Sequence, residues 1–466
     1  MNIEITREDA LSPAAALGAR FPKNFQWGVG TAAYQVEGSL GAGGRGPSIW
    51  DEFLTRPGAT VDGSTAEPAA DHFRRWEEDI ALLKELGVNS YRFSIAWPRI
   101  APDGRTPNNV EGIAFYDRIV DALCAADITP VATLFHWDLP AGLQPAGGWL
   151  SRDTSAYFGE YARVMGEALA DRVKDWFTVV EPYIMARHSH VLGEHAPGRS
   201  LATAKALPVV HHQLLAHAEA TAALRSVTDL RIGLTNHPAP TRPATDRPED
   251  IEANALYDAV RNHMVPDAVL LGSYPEALER LPGVEFSWIQ DGDLERISAP
   301  IDMLGFTYYH TQLVQAPTTP TNEPFEFVRL DDVEFTTMDW PIVPSGFRLV
   351  IDEMVQRYGD ALPPLVITEN GCSMPDEITA DGEVLDGGRI AFLDAYLDAL
   401  ASAVEAGVRI DGYFYWSFLD HFEWDLGYTK RWGLVHVDFE TQQRTVKSSG
   451  AWFRGVVDGW QEATGA

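Results

Sequence analysis

Eight short apolar runs recur along the chain, and helical periodicity fills the intervals between them. The runs are Gln26–Thr31, Ser90–Ile95, Thr129–Phe135, Trp176–Val180, Arg231–Asn236, Met303–Tyr309, Leu365–Glu369 and Ile410–Phe418. They are near-continuous rather than alternating, the pattern of parallel strands covered on both faces. Between them, Trp76–Leu86 puts Ile80, Leu83 and Leu86 on one helical face, and Glu111–Ala126 does the same with Phe115, Ile119, Ala122 and Leu123. Tyr157–Ala170, Ala204–Leu224, Phe347–Tyr358 and Arg389–Ala406 follow the same period, the last stopped by Gly407. Strand and helix alternating eight times predict an α/β fold, a (β/α)8 barrel.

The domain reading follows. Residues 1–20 read as a loose N-terminal leader and 21–466 as a single catalytic-type barrel. Two inserts, 37–70 and 310–345, are long and rich in Gly or Pro. Both follow barrel strands, so both should lie over the C-terminal face as lids or rims.

Composition narrows the partners. A formal net charge of −31 disfavours nucleic acid and acidic membranes, because phosphate binding needs a basic face. A small neutral ligand fits better. The two cysteines, Cys124 and Cys372, have no metal-ligand spacing and read as free structural thiols in a reducing compartment. The N-terminal stretch is acidic and broken by Pro13, unlike a secretory signal, and no window approaches a membrane span. A cytoplasmic protein is therefore expected.

Function should sit at the strand tips, which meet around one pocket in such a barrel. Leu365-Val366-Ile367 leads to Glu369 and then to the turn signal Asn370-Gly371; Trp176–Val180 leads to Glu181 and then Pro182. Either glutamate alone reads equally well as a helix cap or a surface charge. Two carboxyls on the tips of two strands are the minimum set for breaking a glycosidic bond. The other tips supply Gln35, Arg92, His136-Trp137-Asp138, Tyr308-Tyr309, Trp416 and Glu423-Trp424. Aromatic faces and hydrogen-bonding groups in that mixture suit a sugar ring, with its apolar C–H face and hydroxyl edge.

Six motifs carry a resemblance to a known family. They are Phe25-Gln-Trp-Gly, Ala33-Tyr-Gln-Val-Glu-Gly38, Tyr91-Arg-Phe-Ser-Ile-Ala-Trp-Pro-Arg99, Thr133-Leu-Phe-His-Trp-Asp-Leu-Pro140, Ile367-Thr-Glu-Asn-Gly371 and Phe422-Glu-Trp424. From Phe21 to about Val457 the chain resembles the family 1 glycoside hydrolases, the β-glucosidase-like retaining enzymes. The resemblance implies Glu369 as nucleophile and Glu181 as acid/base. It implies that Arg92 and Tyr309 hold the nucleophile carboxylate. Gln35, His136, Glu423 and Trp424, beside Trp137, match the glycone subsite, and Trp416 matches its stacking surface. No metal and no cofactor are implied, and the partner is a small β-glycoside. A carboxyl separation of about 5–5.5 Å would mark retention. Glu423 would repel a 6-phosphosugar, although Lys430 and Arg431 lie nearby in sequence.

The chain departs from the family pattern at three positions. Val180 stands where the family has the Asn that hydrogen-bonds the sugar 2-OH. Thr307 and His421 also replace family Asn residues, and both point to the same region. Altered recognition at carbon 2, including a 2-deoxy or 2-modified glycone, is one reading. Ordinary β-glucoside activity compensated by a neighbour is another. Transglycosylation on the same site and a catalytically weak sugar-binding protein stay open as alternatives. Thr321-Asn322-Glu323-Pro324 repeats the family's acid/base motif letter for letter, but no apolar strand precedes it. Glu323 is therefore set aside in favour of Glu181.

Overall fold

The computed structural model describes residues 7–466, with side chains from Pro13 onward. Eight strands close into a barrel: β1 (Gln26–Thr31), β2 (Ser90–Ser94), β3 (Thr129–Phe135), β4 (Asp175–Val180), β5 (Arg231–Asn236), β6 (Leu304–Tyr308), β7 (Leu365–Asn370) and β8 (Ile410–Trp416). Each strand pairs in parallel with its neighbours in chain order, and β8 pairs with β1 to close the ring. All eight expected runs are strands, within one or two residues at their ends. They are buried along nearly their whole length because helices cover the outside and side chains fill the inside.

The expected helices are present as α2 (His72–Glu85), α3 (Val110–Ala125), α4 (Asp153–Leu169), α5 (Thr203–Arg225), α7 (Pro344–Tyr358) and α8 (Gly387–Glu405). Three long helices are additional: α1 (Arg7–Gly18), α6 (Pro248–Asp258) and α9 (Ser448–Thr464). The expected leader is therefore not loose over residues 7–18; residues 1–6 lie outside the described residues. Ala14 and Leu17 are buried. A Cβ on Gly459 of α9 would come within 2.3 Å of the Ala15 backbone, so only glycine permits that close approach. No helix among the described residues is long and apolar enough to cross a membrane.

Inside the barrel, Val131, Phe177, Met303, Val366 and Phe414 form a small apolar plug. The Arg92 guanidinium lies over the Phe177 ring at 5.8 Å, so the charged layer of the mouth begins directly above that plug.

Candidate active site

Glu369 sits near the end of β7, where the register with β6 slips between Ile367 and Glu369. Such irregularities re-aim a side chain at the end of a strand. The carboxyl is buried and doubly held. Arg92 Nη1 donates to Oε1 at 2.8 Å, and Tyr309 Oη donates to Oε2 at 2.8 Å. Arg92 is itself fixed, since Nη1 also reaches the Thr368 carbonyl and Nε donates to Thr133 Oγ1.

Glu181 follows a similar slip on β4, between Phe177 and Val180. It adopts a left-handed φ of 51° before Pro182, which begins the short helix Pro182–Ala186. For a non-glycine residue that conformation costs roughly 1–3 kcal/mol, a kind of strain that clusters at active sites. Thr307 Oγ1 donates to Glu181 Oε1 at 2.6 Å, while the Thr307 backbone pairs in register with Glu369. One β6 residue thus stands between the two carboxyls. His237 Nδ1 lies 3.1 Å from Glu181 Oε2, but off the line of a hydrogen bond.

Burial is the largest influence on both carboxyls and pushes each up to about 7. Arg92 opposes the rise at Glu369, and the charge of Glu181 adds to it. Only Glu369 has a guanidinium in direct hydrogen-bond contact, so the pair loses its first proton there and holds the second on Glu181.

The remaining expected residues line one side of the mouth. Gln35 is buried; its Nε2 donates to the Phe422 carbonyl and, at 3.3 Å, to Glu423 Oε2. Its Oε1 has no partner among the described residues. His136 is buried 5.5 Å, ring to ring, from Trp416, and burial together with Arg92 holds its imidazole neutral. Trp137 stacks on Trp424 at 5.1 Å and donates Nε1–H to the Val180 carbonyl at 3.0 Å. Val180 itself is fully buried. Tyr308, next to Tyr309, turns outward and stacks on Phe347 of α7. Asp138 is buried with neither oxygen partnered among the described residues, and burial pushes its carboxyl well above the usual carboxylate range.

The departures have different partners: Thr307 bonds Glu181, whereas His421 Nε2 lies 2.7 Å from Glu423 Oε2. The motif copy at 321–324 is structural. Arg187 clamps Glu323 through Nε at 2.6 Å and Nη2 at 2.7 Å, tying the 310–345 insert to the segment after Glu181. The cations near Glu423 are committed elsewhere: Arg431 to Asp420 and the Val437 carbonyl, Lys430 to the Thr337 carbonyl. Cys124 and Cys372 are both free thiols, and burial pushes that of Cys372 up to about 12.

Sequence reasoning missed His237, Trp340 and Trp432. His237 follows β5 directly, so the tip rule applied to β4 and β6 would have found it. Trp340 comes from the 310–345 insert and Trp432 from the loop after β8; both pack on Tyr309, at 5.2 and 5.7 Å. Neither lies at a strand end, so their roles become visible only in three dimensions.

Among the described residues, Asp376, Asp420 and His436 could converge on a metal ion. Lys447 Nζ already lies 2.8 Å from both aspartates, with Arg389 and Arg431 close by, so that cluster is charge-paired. A further cation there would meet like charge.

The profile of the family described as glycosyl hydrolase family 1 matches residues 17–461. The chain is 42% identical to β-glucosidase A of Acetivibrio thermocellus, over 94% of this chain and 98% of that protein. It is 40% identical to a bifunctional β-D-glucosidase/β-D-fucosidase of Bifidobacterium breve, over 94% and 98% of the two chains. Among solved structures, a psychrophilic β-glucosidase from Micrococcus antarcticus superposes with a TM-score of 0.90 at 43% identity, covering 95% and 99% of the two chains. The β-glucosidase from Thermotoga maritima in complex with glucoimidazole gives 0.89 at 40%, again over 95% and 99%. With two buried carboxyls at the mouth of a (β/α)8 barrel and these relatives along nearly its whole length, the chain belongs to glycosyl hydrolase family 1 and is a β-glucosidase-like glycoside hydrolase.

Proposed function

We propose that the protein hydrolyses neutral β-glycosides with retention, Glu369 acting as nucleophile and Glu181 as acid/base. The ionised Glu369 attacks the anomeric carbon as Glu181 gives its proton to the departing oxygen, and the aglycone leaves as an alcohol. The glycosyl ester removes the charge on Glu369, which makes Glu181 easier to deprotonate. Glu181 then takes a proton from water, the water oxygen attacks the anomeric carbon, and Glu369 is released as a carboxylate. The observation that carries this reading is the contrast between the two shells. Arg92 and Tyr309 hold Glu369, while Glu181 has one neutral donor, Thr307. Gln35, His136, Trp137, Glu423 and Trp424 fit the hydroxyl edge of the glycone, and Trp416 fits its face.

The finer proposal concerns carbon 2. Valine at 180 neither donates nor accepts, so a contact that gains strength in the transition state is lost. A sugar without the electron-withdrawing 2-OH forms its oxocarbenium ion more readily and depends on that contact less. The relatives' names make gluco and fuco glycosides the first substrates to compare. Proton NMR of an aryl β-glucoside digest tests the reaction: retention releases the β-anomer first, and initial α-anomer would overturn it. Paired gluco and 2-deoxy aryl glycosides test carbon 2. Val180→Asn should raise the gluco-to-2-deoxy ratio of kcat/KM roughly tenfold, within the several kcal/mol such contacts supply. An unchanged ratio would remove the carbon-2 reading and leave the rest intact.

A further inference from the structure

Close enough to Glu181 for its charge to act there lies a buried cation with no counter-ion among the described residues. Arg261 is 4% exposed. Neither its Nε nor its Nη2 has a hydrogen-bond partner, and it forms no salt bridge, among the described residues. Among the described residues the other buried guanidiniums are paired: Arg45 with Asp51, Arg92 with Glu369, Arg99 with Glu37, Arg187 with Glu323, Arg389 with Asp386 and Arg444 with Asp79. Unpaired burial of a charge is costly, and buried polar groups in native proteins nearly always find partners.

The guanidinium is held near the reaction centre. Its neighbour Asn262 clamps the loop after β5, accepting from the Ala239 amide at 2.9 Å and donating to the Ala239 carbonyl at 2.8 Å. His237, two residues before that clamp, is the ring 3.1 Å from Glu181 Oε2. Both of its nitrogens are buried and unpartnered among the described residues, as is the hydroxyl of Tyr183, two residues beyond Glu181. The positive charge of Arg261 is felt at Glu181, His237 and Tyr183 alike. Donors without acceptors thus gather around a buried cation whose charge acts on Glu181.

We propose that Arg261, with His237 and Tyr183, forms an aglycone subsite that accepts an anionic group, a carboxylate carried by the aglycone. The inference rests on the reading of Glu181 as acid/base. A carboxylate would take the Arg261 fork in a charge-assisted contact, which buried sites reward more than exposed ones. The net charge of −31 works against anions at long range, but salt screens that field far more than it screens a buried contact. The preference should therefore persist at physiological ionic strength.

The test uses two aryl β-glucosides, 4-(carboxymethyl)phenyl and 4-(carbamoylmethyl)phenyl, whose leaving oxygens are nearly matched. The expected wild-type kcat/KM ratio favours the carboxylate by tenfold or more. In Arg261→Met that ratio should fall to one or below, whatever change both substrates share, and Arg261→Lys should restore part of it. A wild-type ratio at or below one overturns the proposal without need of any variant. A ratio that survives in folded Arg261→Met also overturns it. Phenylacetate added to the carbamoyl substrate separates a site for free anions: inhibition lost in Arg261→Met without a carboxylate preference would contradict an aglycone role. Turnover of the carbamoyl substrate reports the underlying glycosidase reading separately.

Discussion

Glu181 and Glu369 are the same residue type, equally buried, each at the end of a barrel strand just past a slip in register. What differs is the company. Glu369 receives a guanidinium and a phenol; Glu181 receives one threonine hydroxyl, with an imidazole beside it that makes no hydrogen bond. Burial alone would hold protons on both. The partners favour loss of the proton from Glu369, which is the basis of the roles proposed for the two. Glu323 extends the contrast. Like Glu181 it precedes a proline, yet its bidentate arginine makes it a tether between two loops.

Removing either carboxyl is the strongest way to break the comparison. Glu369→Gly should lower kcat/KM by at least about 10⁴-fold on every substrate. Glu181→Gly should cost about 10²–10⁴-fold. The Glu181→Gly loss should be largest for poorly activated leaving groups and small for those that depart without a proton. Equal losses across a leaving-group series would remove the distinction between the two roles.

Glu323→Ala should act on stability instead. It leaves Arg187 buried without its carboxylate, which destabilises by about 3 kcal/mol. Denaturant unfolding reads this directly, and Arg187→Met in the same chain should recover part of it. A catalytic loss as large as that of Glu181→Gly, with stability unchanged, would reverse the assignment.

The smallest effect belongs to Thr307. Its hydroxyl favours the ionised form of Glu181. On the proposed roles, the rising limb of kcat/KM against pH should follow loss of the first proton, from Glu369, and the falling limb loss of the second, from Glu181. Both limbs should lie above the ordinary carboxylate range, because burial raises both groups, with the falling limb the higher of the two. Thr307→Val should move the falling limb to higher pH and leave the rising limb nearly in place. A downward movement would mean that the hydroxyl does not act on the ionised carboxyl.

The barrel was legible because its strands are buried on both faces and announce themselves as apolar runs such as Trp176–Val180. The tip rule then placed most of the mouth. It failed where position depends on something other than a strand end. Trp340 and Trp432 come from loops, and Arg261 from a helical segment after α6 whose buried guanidinium has no pattern in sequence. The α1 leader was misread because its Ala, Pro and acidic residues look unstructured until Gly459 on α9 is seen to receive it. The partners of Thr307 and His421 were not legible either: both lie near strand tips, but β6 and the loop after β8 deliver them to Glu181 and Glu423 respectively.

The most direct measurement is peptide mapping after reaction with an activated 2-deoxy-2-fluoro-β-glucoside, which slows release of the glycosyl-enzyme. The account predicts one stoichiometric adduct, on Glu369, formed in wild type and in Glu181→Gly when the leaving group needs no proton. An adduct on Glu181 or Glu323, or retained turnover in Glu369→Gly, would contradict it.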